Sequence, residues 1–292
     1  MQGLKDNKLE TTWKWFFESL KEFYPNKELQ SVRRIIFEDL LNITEINVIS
    51  DSCHRITETE IVKLIKAIKK LKEFVPVQYI TGKSYFLGHF LRVDPDVLIP
   101  RPETEELVLL ALKKIDQNFG NFEKVRVLDI GTGSGCIAVS IASSLINAEV
   151  TAIDISEKAL EIAKTNAKEA DVSVLFKKKN ILTLKTDDCF DVIISNPPYV
   201  KNSEKQFMQA NVLKYEPDIA LYVEDSDPLI FYRNILEKAK ERMLTSTGII
   251  ILEFNENHKE EMYELIRSYD FRNIQIHEDF RGKPRFAFAQ KE

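Results

Sequence analysis

The tetrapeptide Asn196-Pro197-Pro198-Tyr199 directly follows an apolar run, residues 190–195, that predicts a buried strand. Proline fixes φ and has no N–H to donate, and each residue before a proline is held extended, so this loop is stiff and its carbonyls stay free as acceptors. The Asn196 amide adds another acceptor, and Tyr199 adds a flat face. Acceptors beside an aromatic ring suit a planar NH2 group, so the segment predicts chemistry on an amide or amino nitrogen.

A second segment, Asp129-Ile130-Gly131-Thr132-Gly133-Ser134-Gly135, contains three of the nine glycines of the chain. Glycine allows positive φ and close approach of the backbone to a ligand. The dinucleotide fingerprint is related, but it has its third glycine one position later, where Cys136 stands here. The carboxylate of Asp129 would repel a pyrophosphate and attract a cationic amino acid. S-adenosylmethionine carries an ammonium and a sulfonium group and no phosphate, so the loop favours that cofactor.

Polar and apolar residues follow the next two predicted strands. Asp154-Ile155 ends the second strand, where an acid is placed to bind ribose hydroxyls; the alternative, a helix cap or a solvated loop acid, carries less weight for Asp154. Asn180 and Ile181 follow the third strand, where they could contact the adenine amino group and pack on its ring. A plain turn asparagine and a core isoleucine explain the same pair.

Composition limits the classes of function. The 292 residues carry a net charge of −5, which gives no general attraction to nucleic acid. The three cysteines and four histidines are scattered, so neither a disulfide framework nor a metal site is predicted. The sequence has no long apolar segment and no signal-peptide core at its start, so we expect a cytoplasmic protein that does not bind membranes.

The chain changes character twice. Residues 1–75 have apolar residues at helical spacing and predict a small helical bundle for recognising a partner protein. Residues 76–100 contain β-rich pieces, the first at 77–80, and predict a β-hairpin linker. From about residue 124 onward strands and helices alternate, which predicts that residues 101–292 form an α/β domain with a mostly parallel sheet that binds its ligand at the carboxyl ends of the strands. Within it, Asp227 is expected to be the N-cap of a helix that runs to about Leu244.

Together, the glycine loop, Asp154 and the Asn-Pro-Pro-Tyr segment resemble the class I S-adenosylmethionine-dependent methyltransferases that act on planar exocyclic nitrogens. Three further segments resemble the protein-(glutamine-N5) methyltransferases of peptide chain release factors, the HemK/PrmC family: residues 76–82, 98–105 and 215–217. The resemblance implies a Rossmann-like domain with a seven-stranded sheet, preceded by a helical domain and a hairpin.

The resemblance also implies the reaction and the roles of residues. A methyl group of S-adenosyl-L-methionine is transferred to the side-chain amide N5 of the glutamine in the Gly-Gly-Gln loop of a class 1 release factor, and S-adenosyl-L-homocysteine is the product. Residues 131–135 with Asp129, Asp154, Ile155, Asn180, Ile181 and Asn196 would contact the cofactor. Asn196, Pro197, Pro198 and Tyr199 would hold the glutamine, with Asn196, Pro197 and Tyr199 as the catalytic set. Asn180, Ile181 and the segment 252–255 depart from the usual family pattern, which makes the adenine contacts the weakest assignment.

Two readings compete with this one. An N6-adenine methyltransferase acting on DNA or RNA would also hold a planar amino group, but the acidic charge and the lack of a basic, aromatic-interleaved region speak against it. A non-catalytic cofactor-binding protein would not need an intact Asn-Pro-Pro-Tyr segment. No dimer seam is visible, so a monomer is expected. Arg101, Glu103 and Glu105 could brace the pocket or the domain junction, or be ordinary helix-start residues. Glu216 could shape the substrate channel or belong to a plain loop turn.

Overall fold

The computed structural model describes residues 4–51, 54–120 and 124–291, so Cys53 lies outside the described residues. The chain divides into two units: the first runs to Lys83 and includes Gln209–Tyr215, and the second comprises Ser84–Met208 and the residues from Glu216 onward. The division therefore falls inside the stretch 76–100 that the sequence pattern treats as a linker. We call the two parts the helical unit and the sheet unit.

The helical unit is built from amphipathic helices whose apolar faces share one core. Its helices are α1 (Leu9–Glu18), α2 (Asn26–Leu41), α3 (Glu45–Ser50), α4 (Glu58–Lys72) and α5 (Val77–Thr81). Phe16 and Phe37 are fully buried at its centre, with their ring centroids 5.7 Å apart in an edge-to-face arrangement. Thr57 and Glu60 form a capping box that starts α4, and each satisfies an N–H group that the helix leaves free.

Helix α5 corrects the prediction of β structure at residues 77–80. Pro76 precedes the helix and Gly82, at φ 72°, ends it in the left-handed conformation. Tyr79 is buried, and α5 packs against α2 and α4. The β-branched and aromatic residues of this segment thus follow the tertiary packing, which overrides their preference for strands.

A two-stranded hairpin follows, formed by β1 (Lys83–Phe86) and β2 (His89–Arg92). Leu87 and Gly88 connect the strands with φ of 41° and 86°, the signs required of a type I′ turn. Glu105 accepts a hydrogen bond from the Leu87 backbone N–H at 3.0 Å. Glu105 therefore braces the hairpin.

The sheet unit alternates strands and helices. In chain order, the helices and strands after the hairpin are α6 (Pro102–Phe119), β3 (Val125–Ile130), α7 (Cys136–Ser144), β4 (Ala148–Asp154), α8 (Glu157–Glu169), β5 (Val174–Lys178), β6 (Phe190–Ser195), β7 (Val200–Lys201), α9 (Ala210–Tyr215), β8 (Tyr222–Val223), α10 (Ile230–Lys238), β9 (Leu244–Glu253), α11 (Lys259–Ser268), β10 (Arg272–Glu278) and β11 (Pro284–Gln290). Of these, α9 belongs to the helical unit and the others to the sheet unit. None of the helices among the described residues combines the length and apolarity needed to cross a bilayer.

The main sheet of the described residues has seven strands in the order β10-β11-β9-β6-β3-β4-β5. Strands β9, β6, β3, β4 and β5 run parallel, whereas β10 and β11 pair antiparallel at one edge. This confirms the predicted fold class, an α/β class I methyltransferase architecture. The carboxyl ends of the five parallel strands meet along one edge of the sheet, the place where such folds bind ligands.

Alternating side chains of the central strands pack into two apolar cores, one on each face of the sheet. In β3, Val127 packs with α6 and α7, and Leu128 packs with α10 and α11 on the other face. In β9, Ile251 and Leu252 divide in the same way. Each fully buried side chain of this size contributes roughly 1.5–3 kcal/mol, so the strand ends that hold the site are rigidly anchored.

The predicted N-cap at Asp227 is wrong. Helix α10 begins at Ile230, and no side chain caps it. The Asp227 carboxylate instead accepts hydrogen bonds from the Arg233 guanidinium at 2.7 and 3.0 Å, one on each of its oxygens. The helical segment continues beyond α10 through a π-helical turn, Ala239–Met243, and ends one residue before Leu244.

Candidate active site

A cavity of about 280 Å³ lies at the carboxyl ends of the parallel strands, within the sheet unit. The strand register brings its walls together, because Ile130 of β3 pairs with Ile153 of β4 on one side and with Ser195 of β6 on the other. The predicted site residues that line the cavity are Gly131, Gly133, Asp154, Ile155, Asn180, Ile181, Asn196, Pro197 and Pro198. The two segments that the sequence suggests for cofactor and substrate thus share a single cavity.

The glycine loop leaves its backbone open to the cavity. Gly131 and Gly133 have φ of 74° and 55°, and a Cβ added at either would meet no atom within 4 Å. Gly135, at φ 82°, is needed for a different reason, since a Cβ there would lie 3.0 Å from the Cβ of Ala163. The loop thus presents bare backbone to the cavity at its first two glycines and packs against α8 at its third.

Asp129, Thr132, Ser134 and Gly135 do not line the cavity, although the sequence assigns them to the cofactor. Asp129 is completely buried and accepts a hydrogen bond of 2.6 Å from the Thr132 hydroxyl. Burial raises the pKa of Asp129 to about 7, against the lowering effect of that hydrogen bond. Asp129, Thr132 and Ser134 are buried members of the loop, so a contact of the Asp129 carboxylate with a cationic group stays a prediction.

Asp154 connects the end of β4 to the glycine loop. Its carboxylate accepts hydrogen bonds from the backbone N–H groups of Gly133 at 2.9 Å and Ser156 at 2.8 Å. Burial raises its pKa, and the two backbone donors oppose that effect. The N-cap of α8 is Ser156, not Asp154, so the helix-cap interpretation of Asp154 is wrong. The carboxylate is left facing the cavity, where it can accept further hydrogen bonds.

Two isoleucines give the cavity its apolar walls, and an asparagine beside them forms a turn. Ile181 is buried, whereas Ile155 is 44% exposed although it is a large apolar side chain. Asn180 accepts a hydrogen bond from the Leu182 N–H at 2.9 Å, so it forms a turn and lines the cavity at once. A carboxylate, open backbone and two isoleucines fit a nucleoside, with hydroxyls for Asp154 and a flat ring for the apolar walls.

The mouth formed by Asn196, Pro197 and Pro198 faces the same cavity, but Tyr199 does not. The Tyr199 hydroxyl donates to the Glu253 carboxylate at 3.2 Å, and its ring packs against the core on the α10 face. Burial raises the pKa of Tyr199 above its ordinary value. The prediction that this ring covers a substrate amide is therefore untested, whereas its anchoring of the loop is direct.

Several lining residues escape sequence reasoning. Asp96, Val97, Ile219, Ala220 and Phe231 also line the cavity. Near this wall, the Arg101 guanidinium donates to both carboxylate oxygens of Glu216 at 2.8 Å. The Glu216 side chain is 1% exposed and that of Arg101 is 32% exposed. The motifs at 98–105 and 215–217 point to both residues, but the sequence does not show that Arg101 and Glu216 form an ion pair. Glu103, by contrast, lies 4.0 Å from Arg281 in a looser pair.

Comparisons with known proteins identify the relatives of this chain. A family model described as "Methyltransferase domain" matches residues 121–281, and one described as "PrmC N-terminal domain" matches residues 11–82. A release factor glutamine methyltransferase from Flavobacterium psychrophilum is 41% identical over 92% of this chain and 94% of its own length. Its counterpart from Bacteroides thetaiotaomicron is 39% identical over 94% and 97%.

A solved structure shares the fold at much lower identity. The 16S rRNA N2 G1207 methyltransferase of Thermus thermophilus, in complex with AdoMet and guanosine, superposes with a TM-score of 0.51. It is 18% identical, and the match covers 72% of this chain and 50% of that one. At this identity the likeness supports the fold alone.

Proposed function

We propose a defined substrate for this chain and a role for each part of its cavity. The chain belongs to the release factor glutamine methyltransferase family. The chain is an S-adenosylmethionine-dependent methyltransferase that modifies a release factor glutamine, as its sequence predicts. The glutamine we propose is that of the Gly-Gly-Gln loop of a class 1 release factor, methylated at the side-chain N5. The observation that carries the proposal is that Asn196 and Pro197 line the same cavity as Gly131, Gly133 and Asp154.

The glycine side of the cavity fits the cofactor. S-adenosylmethionine supplies a methyl group that is already activated by its attachment to a sulfonium. Asp154 accepts hydrogen bonds from the ribose hydroxyls, and Ile155 and Ile181 enclose the adenine ring. The exposure of Ile155 supports this role, because the ring would cover an apolar side chain that otherwise faces water. Asn180 and the backbone at Gly131 and Gly133 contribute the remaining polar contacts.

The mouth orients the substrate amide. An amide nitrogen is a poor nucleophile because its lone pair is delocalised into the carbonyl. The Asn196 side-chain oxygen and the Pro197 carbonyl accept the two amide hydrogens, which stabilises the positive charge that grows on nitrogen and directs the lone pair at the methyl group. Pro198 shapes the entrance, and Tyr199 fixes the loop from behind. No general base is needed before transfer, since the proton becomes acidic once the nitrogen is alkylated.

The helical unit is proposed to recognise the release factor. Its support is the match of residues 11–82 to the PrmC N-terminal domain model and the separate core of this unit. We propose that the enzyme works as a monomer in the cytoplasm without binding nucleic acid directly. The net charge of −5 and the free thiols of Cys136 and Cys189 support this setting.

Transfer of a radiolabelled methyl group tests the proposal. The enzyme is incubated with labelled S-adenosylmethionine and either a purified class 1 release factor, the same factor with its Gly-Gly-Gln glutamine replaced by alanine, or duplex DNA. We expect label on the intact factor alone. Label on both forms of the factor would exclude the proposed glutamine, and label on DNA alone would restore the N6-adenine alternative, which the relatives do not favour.

A further inference from the structure

A buried chain of hydrogen bonds lies behind the mouth. The Asn196 side-chain nitrogen is 3.0 Å from the Thr104 hydroxyl oxygen, which is 2.9 Å from one carboxylate oxygen of Glu253. The other oxygen of that carboxylate receives the Tyr199 hydroxyl at 3.2 Å. Thr104 and Glu253 are 3% and 1% exposed, so the hydrogen bond between these two side chains is shielded from bulk water.

The fold holds both partners of Asn196 in place. Glu253 ends β9, and Asn196 follows β6, whose Ser195 pairs with Leu252, so the two residues occupy adjacent positions at the edge of the sheet. Thr104 lies in the first turn of α6, which begins at Pro102. The Tyr232 hydroxyl also donates to the Glu253 backbone carbonyl at 3.0 Å. The carboxylate is therefore fixed through both its side chain and its backbone.

The chemistry of these groups fixes the direction of each bond. Above a pH of about 7, where Glu253 is ionised, its carboxylate can only accept, so the single hydroxyl proton of Thr104 goes to Glu253. The Thr104 oxygen can then only accept from Asn196, which requires the NH2 end of the Asn196 amide to face Thr104. The two ends of an asparagine amide are nearly the same size, so packing alone would not choose between them.

We propose that Thr104 and Glu253 are positioning residues that set the orientation of the Asn196 amide and keep its oxygen turned to the cavity. This inference rests on the proposed function, in which that oxygen accepts a hydrogen from the substrate amide. With the amide reversed, an NH2 group would face the NH2 group of the substrate, and two donors would oppose each other. The mouth would then lose an acceptor and gain a repulsive contact.

Thr104→Val and Thr104→Ser test the proposal as a pair. Valine keeps the shape and removes the hydroxyl, so we expect kcat to fall about tenfold or more, with the Kd for S-adenosylhomocysteine unchanged. Serine keeps the hydroxyl and should restore most of the lost kcat. Thr151→Val is the matched control, because Thr151 is a buried threonine of β4 that does not line the cavity. It should lower neither kcat nor cofactor affinity.

Glu253→Gln provides a second test that keeps the size of the side chain. The new NH2 group donates to Thr104 or to Tyr199, so the fixed direction of the chain is lost and kcat should fall while the Kd for S-adenosylhomocysteine is kept. If Thr104→Val does not fold, this variant decides. Wild-type kcat in both Thr104→Val and Glu253→Gln, or equal losses in Thr104→Val and Thr104→Ser, would overturn the positioning role. A wild-type enzyme that does not methylate the release factor would instead refute the proposed function.

Discussion

The two halves of the cavity are polar in different ways. On the glycine side, the Asp154 carboxylate is held by backbone N–H groups of Gly133 and Ser156, close to it in the fold and independent of side-chain identity. At the mouth, the Glu253 carboxylate is held by the side-chain hydroxyls of Thr104 and Tyr199. The carboxylate of the proposed cofactor half is thus held by backbone N–H groups of two loops, and that of the proposed substrate half by side chains from distant elements.

This difference separates the expected effects of substitution. Changes on the glycine side should act on cofactor affinity or on the folding of the loop. Changes at the mouth should act on turnover, because they alter groups that matter most when charge develops on the substrate nitrogen. The predictions that follow are ordered by the size of the expected effect.

Asn196→Ala should have the largest effect. Removing an acceptor for the charged transition state costs roughly 3 kcal/mol by analogy with oxyanion-hole donors, or about a hundredfold in kcat. Steady-state methylation of the release factor measures kcat, and calorimetry measures the Kd for S-adenosylhomocysteine, which should change little. A variant with near-normal methylation would remove Asn196 from the mechanism.

The buried Glu253 predicts a dependence of stability on pH. Burial raises its pKa from 4.5 to about 7, although Thr104, Tyr199 and Arg285 oppose this shift and Glu103 adds to it. The folded protein therefore keeps this proton to a higher pH than the unfolded chain does. Stability from this group is greatest below pH 4.5 and declines as the pH rises to about 7.

Comparison with Glu253→Gln isolates that contribution, since Asp129 and every other acid titrate in both proteins. The unfolding free energy of the wild type relative to the variant should fall by on the order of 3 kcal/mol between pH 4.5 and 7. Chemical denaturation at a series of pH values measures it. A constant difference across that range would show that Glu253 is not a strained buried acid.

Asp154→Asn should weaken the cofactor half selectively. The asparagine NH2 group opposes the N–H donors of Gly133 or Ser156, or turns toward the ribose, and each case loses a hydrogen bond to a charged acceptor. Such bonds contribute about 1.5–3 kcal/mol, so the Kd for S-adenosylhomocysteine should rise roughly tenfold to a hundredfold. At saturating cofactor, kcat should stay near that of the wild type. An unchanged Kd with a reduced kcat would reverse the roles assigned to the two halves.

Gly135→Ala should have the smallest effect in free energy, and on folding more than on binding. Alanine at φ 82° is strained by about 1–2 kcal/mol, and its Cβ would press on Ala163. The Tm should drop by a few degrees more than in Gly282→Ala, the matched control. Gly282 has a φ of 74°, and a Cβ there would meet only the Glu278 carboxylate at 3.9 Å. Equal drops in Tm for the two variants would show that the approach to α8 does not matter.

Local chemistry made much of this fold and site predictable from the sequence. The glycine loop, Asp154 and the Asn-Pro-Pro-Tyr segment can each be recognised from a few neighbouring residues. The alternation of strands and helices then predicts that they meet at one edge of the sheet. The hydrogen-bond chain at the mouth does not have this property. Thr104 and Asn196 are 92 residues apart, and Thr104 and Glu253 are 149 apart, so only the folded sheet reveals them as neighbours.

Two predictions made from short segments were wrong for a related reason. Residues 77–80 have the composition of a strand, but Pro76, Gly82 and packing on α2 and α4 make them a helix. Asp227 has the right chemistry for an N-cap, but its carboxylate accepts hydrogen bonds from the Arg233 guanidinium. In both cases a contact outside the local pattern determines the outcome, and local propensity is too weak to oppose it.

The position of the transferred methyl group tests the central claim most directly. The enzyme, S-adenosylmethionine and a class 1 release factor are incubated, and the Gly-Gly-Gln peptide is analysed by fragmentation mass spectrometry. A flat amide nitrogen held by Asn196 and Pro197 predicts one methyl group on the glutamine side-chain nitrogen. A methyl group on any other atom of the peptide, or an unmodified glutamine after full reaction, would contradict the account.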